Sequence, residues 1–372
     1  MRFLIVNSDY PAFLKHLYAQ DPGLAERSYE QQLQVRNDSL FGVSDFYPRR
    51  LRELGHSVEE VHINNRPLQS AWARRHGFSP SRKWSLKWRR AAGLVPLPTR
   101  DRDPWMLEVL AAQIEHFAPD VVLNYCLWEV PPKFWRRKRA LFRLLVGQHT
   151  ATPLPAKYDW HAYDVMISSF PPTLRWFESL GVRTELHRLG FDPSVLTRLN
   201  GTAGRYEVSF VGSLAPIHRA RIDCLERVCR DCPVDVWTGD SSGLRAHSPI
   251  KARIRGEAWG LAMYLALQGS RITLNHHGSI PPYANNMRLY EATGVGTLLI
   301  TDWKENLPDM FEPECEVVTY RTPEECVEKI RFFLGHEDER KAIAEAGQRR
   351  TLRCHTYRQR MEELVQIVGR YL

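Results

Sequence analysis

The sequence predicts an α/β protein of two βα-alternating domains joined by a linker. Three observations carry this. Short apolar runs of buried-strand length recur through both halves, and segments with helical spacing separate them. Between the halves, Asn200-Gly201-Thr202-Ala203-Gly204 has the composition of a linker. At 372 residues the chain is long enough for two separate cores.

The first half opens with a strand, Arg2 to Val6, whose apolar run is too short for a signal-peptide core. Asp9 and Tyr10 follow it, and in an α/β sheet the carboxyl ends of strands line the ligand cleft. Phe13, Leu14, Leu17 and Tyr18 recur with helical spacing. Gln31 to Ser44 reads as a polar segment ahead of a helix from Phe46 to Leu54, closed by Gly55. Strands follow at Val58 to Ile63, Val121 to Tyr125, Arg143 to Gly147, Asp164 to Ser168 and Thr184 to Leu189. Helices fall between them at Met106 to His116, Lys133 to Phe142 and Thr173 to Leu180. The fourth of these six strands, counting Arg2 to Val6, delivers Gln148-His149-Thr150.

In the second half, Glu207 to Val211 is a strand running into Gly212-Ser213, a tight turn before a helix from His218 to Arg230. Val234 to Trp237 is a strand, Glu257 to Gln268 a helix, and Arg271 to Asn275 a strand delivering His276-His277-Gly278. Asn285 or Asn286 is placed to cap a helix that Gly294 ends, before a strand from Thr297 to Thr301. After a strand at Glu316 to Thr319, Thr322-Pro323-Glu324-Glu325 has the form of a capping box. Thr356 with Gln359 repeats it, and the last helix carries Met361, Leu364, Val365, Val368 and Leu372 on one stripe.

Arg288 and Glu291 share one face of the helix after Asn286. Helix amides and Arg288 converging on one spot suit a diphosphate, and Glu291 suits the paired hydroxyls of a ribose. The plainer alternative is an i,i+3 ion pair on the surface, worth roughly 0.2–0.5 kcal/mol. Asp101-Arg102-Asp103 has the form of a metal-binding carboxylate pair, but no apolar strand leads into it, so no metal site is assigned.

Hydrophobic content of 43% and charged content of 25% are those of a soluble globular protein. A formal charge of +8 and a pI near 9.1 favour an anionic partner. No apolar run approaches the roughly 18 residues of a spanning helix. Seven scattered cysteines, Cys229 and Cys232 among them, point to reduced thiols and a cytoplasmic setting. Arg66 to Pro104 reads as a basic, Trp-rich insertion. A helix there would set Trp84 and Trp88 on one face with Lys87 and Arg90 beside them. Residues 72–102 therefore either pack their tryptophans into the first domain with the cations as a solvated rim, or contact the anionic inner face of a membrane, or, after these, nucleic acid.

Phe210-Val211-Gly212-Ser213, Arg288-Leu-Tyr-Glu291-Ala, Gly296-Thr-Leu-Leu-Ile-Thr-Asp302, Tyr320 and the tail Ala346-Gly347-Gln348 … His355-Thr356-Tyr357 … Arg360 resemble the CgeB-like glycosyltransferases. These are of the GT-B type and related to retaining family four. Tyr163-Asp164 … Ser168 … Gly181-Val182 … Leu189-Gly190-Phe191-Asp192-Pro193 extends the likeness loosely into the first half. The resemblance implies two Rossmann-like domains facing a cleft, with the last helix crossing back to the first. It divides the chain into an acceptor-side domain at 1–192 (insertion at 66–104), a linker at 193–205, a donor domain at 206–355 and the crossing helix at 356–372.

The implied activity is transfer of a sugar from a nucleotide-sugar co-substrate, with no other cofactor and no metal. Gly212, Ser213, Arg219, His277, Asn286, Arg288 and Glu291 form the implied donor site. The first acidic position of the family motif falls on Tyr283, which leaves the stereochemical outcome open. If the reaction retains, His149 resembles the family-four histidine that contacts the donor sugar; the alternative for His149, and for the His276-His277 pair, is a structural histidine with its hydrogen bonds satisfied. If it inverts, Asp9, Asp38 or Asp45 supplies the base. A binding protein without turnover, or an enzyme acting on nucleic acid, would carry many of the same features.

Overall fold

The first half is assembled on a strand, Arg2–Asn7, whose residues Phe3 to Val6 are fully buried, as a parallel strand covered on both faces requires. The computed structural model describes residues 1–80, 86–89, 97–100, 104–149, 157–199, 204–278 and 282–372. The strands are β1 (Arg2–Asn7), β2 (Ser57–His62), β3 (Leu86–Arg89), β4 (Leu97–Arg100), β5 (Val121–Asn124), β6 (Leu144–Gln148), β7 (Val165–Ser168) and β8 (Thr184–Leu186). In the second half they are β9 (Tyr206–Val211), β10 (Val234–Trp237), β11 (Ile254–Gly256), β12 (Ser270–Asn275), β13 (Leu298–Asp302) and β14 (Val318–Tyr320). Two parallel six-stranded sheets result, in the orders β2-β1-β5-β6-β7-β8 and β11-β10-β9-β12-β13-β14, with helices packed on them. The architecture is two Rossmann-like α/β domains.

The structure departs from the sequence reading where core-facing positions are polar. Tyr29–Asp38, which overlaps the segment Gln31 to Ser44 read as polar, is a helix opened by a capping box of Ser28 and Gln31. Its buried face consists of Gln32 and Arg36, so no apolar stripe announces it. Glu337–Cys354 is likewise an unanticipated helix, burying Arg340, Ala344, Gly347 and Thr351. Arg66–Arg75 is a regular helix of the first domain, and Trp72 packs inside with Ala73 and Val109. Trp72 is thus core and unavailable to a membrane. The stretch around Trp88 is an antiparallel pair, β3 with β4, in place of the expected helix. Trp84 and Asp101-Arg102-Asp103 lie outside the described residues, as does most of the Asn200 to Gly204 segment.

The last helix, Tyr357–Gly369, starts from the Thr356–Gln359 capping box and buries Met361, Leu364, Ile367 and Val368. Ile367 takes the place expected for Val365, which is only partly buried, and Leu372 is 38% exposed. The helix lies against Phe46–Glu53 of the first domain, with Tyr357 stacked on Phe46 at 5.5 Å and edge-on to Tyr47 at 5.1 Å. Phe191 ties the return, its N–H donating to His355 O (2.8 Å) and its carbonyl accepting from Tyr357 N (3.0 Å).

Next to it, buried Asp192 accepts from Arg50 Nη2 (2.8 Å) and Nε (2.9 Å) and from Ser194 N (3.0 Å). Burial raises its pKa, but the bonds from Arg50 and Ser194 outweigh that and hold it below the ordinary value. A depressed folded pKa adds stability above the unfolded value, about 3.9, and that stability is lost as pH falls through the folded one. Asp192→Asn is therefore expected to lower the unfolding temperature at neutral pH, with the deficit shrinking below about pH 4. A deficit that is the same at every pH would mean that the charge contributes nothing.

Candidate functional site

Each sheet has a point where the strand order reverses: between β1 and β5 in the first, and between β9 and β12 in the second. Ligands of open α/β sheets bind at the carboxyl ends of strands beside such points. Here the two carboxyl edges face each other. Ser169, just after β7, donates its hydroxyl to Asn285 Oδ1 at 2.6 Å, and Phe170 meets Tyr283 edge-on at 6.2 Å. A small cavity of about 20 Å³ lies in this junction, lined by Ser169, Arg188, Asn285, Asn286 and Asn306 among others. A second seam joins Leu261 N to Ser39 O (2.8 Å), where Phe41 stacks on Phe13 at 3.9 Å and meets Trp259 at 5.4 Å.

On the second domain the Val211-Gly212-Ser213 turn leaves β9 between two guanidiniums. Arg288 Nη2 donates to Val211 O at 3.2 Å, and Arg221 Nη1 donates to Ser213 O at 2.9 Å. Arg221 Nε also donates to His276 O at 3.0 Å. Burial holds the Arg221 pKa below its ordinary value; Asp302 and Tyr320 oppose this, and nearby Arg288 adds to it. An anion between the two cations would relieve both effects. Arg288 Nε is buried without a hydrogen-bond partner among the described residues.

Arg288 Nη1 stands 2.8 Å from Glu291 Oε2, with side chains only 13% and 7% exposed. The pair is buried, and the surface-pair reading falls. Burial raises the Glu291 pKa, with Arg288 pulling the other way. The helix carrying both, Arg288–Gly294, has Met287 at its N-cap, so neither asparagine caps it. Asn286 Nδ2 instead donates to Asn275 Oδ1 at 2.8 Å. The left-handed residue after the helix is Gly296 (φ +82°). Gly294 is glycine for another reason: a Cβ there would stand 2.5 Å from the Phe191 ring.

His277, two residues after β12, pairs with Asp302 at the carboxyl end of β13. His277 Nδ1 lies 2.7 Å from Asp302 Oδ1, which also accepts from His277 N at 3.0 Å. Burial raises the Asp302 pKa, yet the His277 bond together with His276 and Lys304 holds the carboxyl far below its usual range. His276 is pushed to about 4, chiefly by burial, and stays neutral at neutral pH. Its Nδ1 accepts from Gly278 N at 2.9 Å.

The remaining candidates lie elsewhere. Arg219 pairs with Asp223 at 2.5 Å along the outer face of its helix, and Arg221 takes the place expected for it. Asp9 is buried, with Arg36 Nη2 at 2.7 Å, Nε at 3.2 Å and His62 Nδ1 at 3.4 Å. Burial raises its pKa, and His62 and Arg36 bring it below the ordinary value. Asp9 thus anchors the loop after β1, and its carboxylate does not open to the cleft. Asp38 accepts from Gln34 at 2.9 Å, and Asp45 pairs with Arg49 at 3.4 Å. His149 sits just after β6 with its N–H on Ile167 O (3.1 Å) and the half-exposed Trp128 ring 6.2 Å away.

Residues 213–366 match a family model described as glycosyl transferase-like. A glycosyltransferase from Rickettsia africae superposes with a TM-score of 0.60 at 10% identity, over 99% of this chain and 97% of that one. Anabaena HepE in complex with UDP-glucose gives 0.58 at 12%, over 99% of both chains. A sucrose-phosphate synthase from Thermosynechococcus elongatus gives 0.58 at 10%, over 100% and 98%. The fold is GT-B. No curated protein matches the sequence.

In this GT-B frame the matched segment contains Arg221, His277, Arg288, Glu291 and Asp302. Two of these, Arg221 and Asp302, were missed as site residues. Asp302 could have been found, since a carboxylate ending an apolar strand points into the cleft by the same rule that singled out Asp9. Arg221 could not. Choosing it over Arg219 requires knowing that the helix begins at residue 219 and which face its third residue presents.

Proposed function

We propose that this GT-B protein is a glycosyltransferase that takes a sugar from a nucleotide-sugar, with UDP as the nucleotide to test first. The observation that carries the reading is the pair of arginines, Arg221 and Arg288, bracketing the Val211 to Ser213 turn. In glycosyl transfer the bond from C1 to the diphosphate lengthens while positive charge builds on the sugar, so the leaving diphosphate must be neutralised. Two fixed guanidiniums supply that charge without a metal. In this reading Glu291 accepts from the ribose hydroxyls and His149 contacts the sugar from the first-domain side; the support is the Arg288–Glu291 pair on one helix and the place of His149 just after β6. Asp9 serves by holding the loop after β1. The finer kinship, with CgeB-like enzymes and retaining family four, rests on Glu291 and the Gly212-Ser213 turn, with Tyr283 as the departure from it.

A thermal-shift series with UDP, GDP and their sugars tests the donor, since a ligand at 100 times its Kd adds roughly 2.7 kcal/mol. UDP is expected to stabilise the parent and to lose most of that effect in Arg221→Ala. Hydrolysis of UDP-glucose, followed with EDTA present, tests turnover and metal independence together. Loss of activity on chelation with recovery in Mn²⁺ would reject the two-arginine account, and binding without hydrolysis or transfer would leave a nucleotide-sugar-binding protein.

A further inference from the structure

An open groove of about 600 Å³ lies on the first domain, where Pro131, Lys133, Arg136, Arg137, Lys157 and Tyr158 are among its lining residues. It lies beside the carboxyl edge of the first sheet, because Pro132–Lys138 is the helix that follows β5. Arg136 is committed to Asp159, at 2.6 and 2.8 Å. Lys133, Arg137 and Lys157 are exposed, and among the described residues they have no ion-pair partner. Three uncompensated cations around one concavity make an anion site in a way that cations scattered on a convex face do not. The groove also leads toward the cleft. Tyr158 donates its hydroxyl to Leu127 O, its ring stands 5.9 Å from Trp128, and Trp128 stands 6.2 Å from His149. Trp128 is 49% exposed and stands between Tyr158, which lines the groove, and His149.

We propose that the acceptor carries a phosphoryl group, held by Lys133, Arg137 and Lys157, while the part bearing the reacting hydroxyl lies along Trp128 toward His149. This rests on the glycosyltransferase reading. The phosphoryl group is a handle and does not react. The acceptor oxygen bonds the anomeric carbon, the bond to the diphosphate oxygen breaks with its electron pair on that oxygen, and the hydroxyl proton passes to solvent. The opposing contribution is Asp159, which lines the same groove but is neutralised by Arg136.

The phosphate could come from a soluble sugar phosphate or a lipid headgroup, and two arms separate them. In the first, glucose 6-phosphate and glucose are titrated with UDP saturating, so that the diphosphate site is filled. In the second, flotation is measured with vesicles of phosphatidylglycerol in phosphatidylcholine against phosphatidylcholine alone. Each arm is run on the parent and on the triple variant Lys133→Glu, Arg137→Glu, Lys157→Glu, whose positions are exposed and outside the donor site. Preference for glucose 6-phosphate of roughly tenfold or more, lost in the triple variant, supports a soluble acceptor. Flotation on the anionic vesicles alone, lost in the triple variant, supports a lipid-borne one. If neither arm discriminates, or if discrimination survives in the triple variant, the groove is not a phosphoryl site. Failure of UDP to bind would count against the glycosyltransferase reading, while both arms would still report on the groove.

Discussion

Arg288→Ala is expected to weaken UDP binding by roughly ten- to a hundredfold, because hydrogen bonds to charged groups are worth about 1.5–3 kcal/mol and each 1.4 is a factor of ten. The same change leaves Glu291 buried without its cation. Breaking a buried pair from one side costs about 3–5 kcal/mol, less whatever the remaining group recovers by taking up a proton. Burial already raises the Glu291 pKa, with Arg288 opposing, so removing Arg288 moves it further up. A raised folded pKa contributes stability that is complete below the unfolded value, about 4.3, and is lost as pH rises through the folded one. The Arg288→Ala protein should therefore melt well below the parent at neutral pH and regain much of the difference in mild acid. Adding Glu291→Gln should restore the fold at neutral pH without restoring UDP affinity. Calorimetric titration and melting curves on the three proteins read both effects. UDP affinity equal to the parent in Arg288→Ala would remove this helix from the donor site.

The second large effect is expected at the seam between the domains, where Gly260 approaches Ser39. Gly260 has φ +52° and ψ −119°, a conformation that residues with a side chain rarely adopt. A Cβ would stand 1.9 Å from Ser39 O and 2.9 Å from Phe41 N, both backbone atoms that cannot rotate away. Gly260→Val should thus cost about 1–3 kcal/mol in backbone strain and a similar amount in overpacking, or else push the two domains apart. The Leu261 N–Ser39 O bond and the Trp259–Phe41 contact would be lost together. Small-angle scattering should show a larger radius of gyration, and turnover should fall further than UDP affinity, since the residues proposed to hold UDP all belong to the second domain. A variant with the parent's melting temperature and scattering curve would show that this seam is open in solution.

The fold class was legible in the sequence because parallel strands buried on both faces leave an unmistakable trace. Phe3 to Val6, Val121 to Leu123 and Leu298 to Ile300 are continuous apolar runs for that reason. The capping boxes at Thr356 and, in part, Thr322 were legible too, since a cap is a local hydrogen-bond exchange and needs no distant partner. So was the pairing of Arg288 with Glu291, three residues apart on one helix. What the sequence could not reveal is polar burial. The helix at Tyr29–Asp38 faces inward through Gln32 and Arg36, and partners such as the carbonyls of Ala25, Arg27 and Ser44, the Tyr18 hydroxyl and the carboxylate of Asp9 explain why those residues are tolerated there. Asp9 turned from candidate base to buried anchor by the same cause, because its partner lies 27 residues away. Local pattern therefore set the buried strands and the helix that carries Arg288 and Glu291. The tertiary structure alone decided which charges meet: Arg221 in place of Arg219, Asp302 with His277, and Arg36 on Asp9. A charge pair is fixed by distance in space and by desolvation, neither of which leaves a period in the chain.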